Sequence, residues 1–237
     1  MTTGDIKTAT SHAPPHVRMS YEKYHAWVDE DTHAEWVDGE VIVHMPPLDI
    51  HQTILNFLNR LLAEYVEVLE LGVVFIAPFE MRLLAQNSAR QPDIFVITKE
   101  QMSRLTPERF EGPADLVVEI VSKDSVRRDR QEKFREYQDA GVREYWIVDS
   151  RRGRDRADFY RLDDEGQYVL YATEDDERVE SVVLPGFWLR PAWLWQHRKP
   201  PIRSAFLEIT GLTPEQAQDL DQKLLRRGGD DSAQVSP

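Results

Sequence analysis

The sequence predicts a mixed α/β domain, a central sheet flanked by helices with antiparallel hairpins. Three observations lead there. "DLVVEIV" (115–121), "SVRRDRQEKFREYQDA" (125–140) and "REYWIVD" (143–149) read as strand, helix and strand, with Gly141 stopping the helix. Such a unit joins two parallel strands by a right-handed crossover. Two short apolar runs meet at Asp38-Gly39, a tight hairpin dipeptide. Ile54, Leu55, Leu58, Leu61, Leu62 and Tyr65 form one stripe at helical spacing, which reads as a long amphipathic helix.

Taken in order, residues 1–18 are rich in Thr, Ser, His and Pro and are expected to be a mobile leader. Ser20 is a plausible N-cap for a helix bearing Tyr21, Tyr24, Trp27 and Val28. The Asp38-Gly39 hairpin follows, then the long helix, with Gly72 expected to close it. "VVFIAPFEMRLL" and "PDIFVI" read as strands separated by the polar turn "AQNSAR". After the crossover unit come short strands at "ADFYRL", "QYVLYA" and "RVESVVL". "FWLRPAWLW" closes the domain, either as internal core or as apolar surface for a second copy. The expected main domain is 19–197. An extension over 198–227 holds a helix capped by Thr213-Pro214, and 228–237, opening on Gly228-Gly229, is expected to be a disordered tail.

Composition narrows the function classes. With no cysteine, disulfides, thiolate metal sites and cysteine nucleophiles are excluded. This fits a reducing compartment, so the cytoplasm is the expected location. No apolar run is long enough for a membrane span, and no membrane partner is expected. The formal net charge is −13, so a nucleic-acid partner would need a local basic surface. "RRDRQEKFR" (127–135) and "RRGRDR" (151–156) are the two candidates, though each mixes acids with its arginines and can equally be a solvated charged face.

The chemistry centres on one acid in an apolar strand. Glu119 stands between Val117 and Val121 on one face, near the C-terminal end of its strand, where parallel sheets place ligands. An isolated buried carboxylate must be paired, bind a metal or take up a proton. Asp93 opens another strand directly after Pro92, and if the strands are neighbours both acids meet at one sheet edge. Two such carboxylates suit a hard divalent cation such as Mg²⁺. The competing reading pairs Glu119 with an arginine and leaves Asp93 capping a strand. Asp129, Lys133 and Tyr137 lie at i, i+4 and i+8 on the crossover helix, so Lys133 can reach over Glu119 or form an exposed pair with Asp129.

Together, "QPDIFVI", "VVEIVS", "RRDRQEKFREYQDAG" and "VREYWIVD" resemble the Uma-type restriction endonuclease family of the PD-(D/E)XK nuclease superfamily. The likeness extends to "EWVDGEVIVHMPPLDIHQTILNFL" upstream and "VVLPGFWL" downstream, roughly 20–196. It implies a restriction-endonuclease-like fold and a DNA phosphodiesterase. Asp93, Glu119 and the Ile120 carbonyl would bind Mg²⁺ or Mn²⁺, and a lysine would orient the attacking water. The superfamily lysine position holds Val121, so the resemblance points to Lys133 on the helix, with Lys123 the alternative. His51 matches a family histidine and is expected either to act beside the acids as a base or support, or only to cap its helix. Glu80 either completes the metal site or is an exposed strand acid; Glu35, Asp38 and Glu40 read as hairpin structure. Nuclease domains of this size often pair to cut two strands, so a homodimer is a further expectation. The rivals are a binding module with a silent acid pair and a hydrolase of smaller phosphoesters.

Overall fold

The computed structural model describes residues 17–28, 34–43, 49–122, 125–151 and 153–231, backbone alone from 223. Elements run β1 (Val17–Arg18), α1 (Tyr21–Trp27), β2 (Ala34–Val37), β3 (Glu40–Val43), α2 (Asp49–Val68), β4 (Gly72–Ile76) and β5 (Glu80–Leu83). They continue with β6 (Ser88–Arg90), β7 (Ile94–Thr98), β8 (Arg109–Glu111), β9 (Leu116–Val121), α3 (Lys133–Ala140) and β10 (Glu144–Asp149). Last come β11 (Arg156–Leu162), β12 (Tyr168–Thr173), β13 (Val179–Glu180), β14 (Trp188–Leu189), α4 (Ala192–Trp195), α5 (Ile202–Thr210) and α6 (Pro214–Asp231). No described helix is long and apolar enough to cross a membrane.

The local signals act as their chemistry requires. Ser20 Oγ accepts the Lys23 N–H and caps α1. Asp38 and Gly39 take φ of 48° and 84°, the left-handed pair that a two-residue hairpin between β2 and β3 needs. Gly141, at φ 90°, ends α3 by donating to the carbonyls of Tyr137 and Gln138.

The fold is the expected mixed α/β class, with mixed sheets flanked by helices, but among the described residues it holds two six-stranded sheets in place of one central sheet. The first has the order β1-β3-β2-β6-β5-β8, the second β12-β11-β10-β9-β7-β4, and β13-β14 form a small ribbon. In the second sheet β9 and β10 are parallel, with Glu119 beside Ile147, so the crossover is present. The run "VVFIAPFEMRLL" is two strands, because Pro78 has no N–H to continue a ladder. β4 stays in the second sheet and β5 crosses to the first. Within the expected turn "AQNSAR", Ser88–Arg90 pairs with β2 and β5 as β6.

Three boundaries differ from expectation. Val17 and Arg18 pair with Val41 and Glu40, so an edge strand begins inside the expected leader, whose residues 1–16 lie outside those described. α2 ends at Val68, and Glu70 rather than Gly72 takes the left-handed turn at φ 52°. Gly72 serves close approach instead: a Cβ there would lie 2.0 Å from the Ile97 carbonyl oxygen. α6 continues past Gly228-Gly229 to Asp231. Interior glycine weakens a helix by about 1 kcal/mol relative to alanine without forbidding it. The expected tail from 232 onward lies outside the described residues.

Both faces of the second sheet are covered. On one face, Leu58, Leu61 and Leu62 of α2 pack on Val96, Val118 and Trp146, together with Trp188 and Trp193. "FWLRPAWLW" is thus largely internal. α5, not anticipated in the sequence, adds Ala205, Phe206 and Ile209 to this core, and Arg203 reaches Glu64 of α2 at 3.2 Å. On the other face Phe95, Val117, Val121, Tyr145 and Ile147 meet Met81 and Leu83 of β5, Phe110 of β8 and Tyr137 of α3. Glu119 points into this second layer, between the two sheets.

Candidate active site

Strand alternation sends Glu119 toward the first sheet, in the row of Val117 and Val121, and leaves its residue only 3% exposed. The helix after β9 supplies its partners. Lys133 Nζ lies 2.8 Å from Glu119 Oε1, and the Tyr137 hydroxyl donates to the same oxygen at 2.9 Å. Lys133, 2% exposed, also lies 3.0 Å from Glu35 Oε1 and 3.7 Å from Asp129 Oδ1. The Asp129–Lys133 pair is therefore buried, not the exposed surface pair that was the competing reading. A π-helical turn, Arg128–Glu132, precedes α3, with Lys133 N–H bonded to the Arg128 carbonyl. Such one-residue widenings occur frequently at functional sites.

Asp93 arrives from β7. That strand is antiparallel to β9, with Ile94 opposite Val118, so the next step of the register puts Asp93 opposite Glu119 at the same sheet end. Asp93 Oδ2 accepts the Ile120 N–H at 2.7 Å and lies 3.5 Å from His51 Nε2. His51, in the first turn of α2, therefore faces Asp93. Its Nδ1 is buried without a hydrogen-bond partner among the described residues.

Two members of the cluster were missed in the sequence. Glu35 of β2 is fully buried and joins Lys133 to Arg90, whose Nη1 lies 3.1 Å from Glu35 Oε2. Arg90 also pairs with Glu136 of α3, and the Gln91 N–H donates to Glu35 Oε1 at 3.2 Å. Glu35 had been read as hairpin structure. It carries the same signal as Glu119, an acid between apolar neighbours (Ala34 and Trp36) on a strand. Glu80 is a correction of another kind. It is 7% exposed, not an exposed strand acid, and the Tyr21 hydroxyl donates to its Oε1 at 2.6 Å. Asp38 Oδ1 accepts from Asn87 beside the hairpin turn. Lys123 lies outside the described residues.

Acids outnumber cations here, and the proton affinities follow. Burial pushes the Glu119 carboxyl up to about 8; Lys133 opposes the rise, while Asp129, Asp93 and Glu35 add to it. Burial also raises Asp129. Lys133 is held above the ordinary lysine range because Glu119, Glu35 and Asp129 outweigh its desolvation. Burial would raise Asp93, but the His51 hydrogen bond and charge and the Ile120 amide bring it below its usual value. Burial would lower His51, but its bond to Asp93 raises it.

A divalent cation fits this donor set. Among the described residues, Glu119 Oε2 and Asp93 Oδ1 accept no hydrogen bond, which leaves one free hard oxygen on each acid. The surplus negative charge is what such an ion offsets. No group of three or more described His, Asp or Glu residues encloses an ion by itself.

A family model described as Uma2, putative restriction endonuclease, matches residues 21–192. Among solved structures, a putative nuclease belonging to DUF820 from Anabaena variabilis is similar, with a TM-score of 0.61 and 14% sequence identity. The match covers 75% of this chain and 97% of that one, and at this identity it speaks to the fold alone. No curated protein matches.

Proposed function

The chain belongs to the Uma2 family of putative restriction endonucleases, and from that premise we propose that it hydrolyses DNA phosphodiester bonds with Mg²⁺ or Mn²⁺. The observation that carries this reading is the Lys133 amine 2.8 Å from Glu119, at the sheet end where Asp93 lies opposite. Asp93, Glu119 and the Ile120 carbonyl would hold the ion. When bound, it would supply Lewis-acid stabilisation of charge on phosphorus and acidify water.

The chain's own residues do the rest. The Tyr137 hydroxyl fixes one oxygen of Glu119 and leaves the other free. Lys133, buried among Glu35, Asp129 and Glu119, keeps its ammonium charge and orients Glu119, and its field would offset negative charge developing beside that acid. His51 keeps Asp93 ionised and oriented. The two sheets exclude bulk water from the Lys133 side, which strengthens each interaction there. Cutting both strands would call for two copies of the chain.

Incubating supercoiled plasmid with the protein and Mn²⁺ or Mg²⁺, beside an Asp93→Ala control, tests the proposal. Nicking by the parent and none by the variant is the expected result. Equal cleavage by both removes the assignment. The direct Lys133–Glu119 pair and the acidic balance favour one rival, a nuclease fold serving only as a binding module. Calorimetric Mn²⁺ uptake that is lost in Glu119→Gln speaks against that rival.

A further inference from the structure

Resting on the nuclease reading, we infer that the β10–β11 hairpin, together with Arg130 of the π-helical turn, grips the DNA phosphate backbone beside the site. The register places it there. Asp149 pairs with Val121 two residues beyond the Ile147–Glu119 pair, so β10 leaves the sheet at the end where Glu119 and Asp93 lie. Asp149 shares the face of Ile147, and the partly exposed Arg151 and the exposed Arg154 follow before Arg156 opens β11.

Two buried aspartates organise these arginines. Arg151 forks onto Asp149, with Nε and Nη2 each at 2.8 Å. Arg156 forks onto Asp158, with Nη2 at 2.8 Å and Nε at 3.1 Å. Arg130 bridges the two acids, bonding Asp158 through Nη1 and lying 3.7 Å from Asp149 through Nη2. Arg154 is exposed and meets no acid among the described residues. Asp149 and Asp158 thus hold three guanidiniums between them, Glu174 lies near Arg156, and the exposed Arg154 stands next to the exposed Asp155.

A pure structural lock for the hairpin would need neither a third guanidinium on two aspartates nor an exposed Arg154 that meets no acid among the described residues. A phosphate grip needs both. Guanidinium forks that already rest on a carboxylate retain outward N–H groups in a fixed plane, which matches bidentate phosphate recognition. In a chain of net charge −13, DNA affinity must come from such a local concentration of cations.

The test measures binding of a fluorescently labelled DNA duplex across a salt series, in Ca²⁺ to separate binding from cleavage. The variants are Arg154→Glu alone and the triple Arg151→Gln, Arg154→Gln, Arg156→Gln. The slope of log affinity against log salt should fall by about 0.9 for each phosphate no longer neutralised, so by about 2–3 in the triple variant. Affinity near physiological salt should drop roughly tenfold or more. Arg178→Gln, at a surface pair with Glu180, serves as control and should keep the parent slope. Calorimetric Mn²⁺ uptake, which reports on Asp93 and Glu119, should stay at the parent value in all three variants. Because Arg154 meets no acid among the described residues, Arg154→Glu breaks no ion pair seen there and carries the test if the triple variant fails to fold. A parent protein that binds and cuts DNA, with variants that keep its slope, overturns the grip and leaves the nuclease reading intact. A parent that takes up Mn²⁺ yet neither binds nor cuts DNA overturns both.

Discussion

Replacing Glu119 by glutamine takes away a carboxylate that the metal-free fold holds against its own burial. Burial pushes the folded carboxyl up to about 8 from an ordinary 4.5. Between those values the native state binds more protons than the unfolded chain, so stability falls as pH rises. The slope is at most about 1.4 kcal/mol per pH unit, so the loss across the window amounts to a few kcal/mol. Glutamine carries no proton in either state, so this loss disappears. Asp93 acts with the opposite sign. Its pKa lies below 3.8 in the fold, so its contribution is present above that pH and lost on acidification. His51, raised above 6.5, contributes below that pH and loses the contribution as pH climbs through its folded value. Both residues remain in the variant, so the difference between the two proteins reports Glu119 together with its coupling to Asp129 and Lys133. Urea unfolding in EDTA, repeated between pH 5 and 8, is the assay. Glu119→Gln should be the more stable protein at pH 8 and should converge with the parent near pH 5, while its nuclease activity is lost. Added Mn²⁺ should stabilise the parent at pH 8 and leave the variant unchanged. Parallel pH profiles for the two proteins would refute the reasoning, because the Glu119 charge would then have no energetic consequence in the fold.

Lys133→Met should destabilise the protein by ~3–5 kcal/mol at pH 8, since it leaves Glu35, Glu119 and Asp129 buried without their shared cation. Thermal unfolding in EDTA and in Mn²⁺ should show part of that loss recovered by the ion. Phe206→Ala should cost ~3–5 kcal/mol in urea unfolding, because Phe206 is fully buried in the core shared with α2. A change below ~1 kcal/mol would show that α5 does not belong to that core.

Much of this fold could be read from neighbouring residues. The Leu58, Leu61 and Leu62 stripe predicts α2, Asp38-Gly39 predicts the hairpin, and the unit from Asp115 to Asp149 reads as strand, helix and strand. The placement of Lys133 followed from the same logic: a crossover helix folds back on its own sheet, and i, i+4, i+8 spacing puts Lys133 and Tyr137 on one side. Signals of this kind are local, since they depend on periodicity, caps and turn chemistry within a few residues.

The partners of Lys133 from the other sheet were not legible that way. Glu35 and Arg90 look like ordinary strand residues until β2 and β6 pair and their sheet closes over α3. The division of "VVFIAPFEMRLL" between two sheets was hidden for the same reason: Pro78 marks a break, but nothing local says where the chain goes next. The sequence by itself determined α1, α2, α3 and α6, the hairpin and the parallel crossover, and it singled out Asp93 and Glu119, which the strand register brings to one sheet end. Only the tertiary structure decided which face of β9 the first sheet covers, and with it that Glu35, Asp129 and Glu119 share one lysine. Charges separated along the chain interact only after folding has removed the water between them.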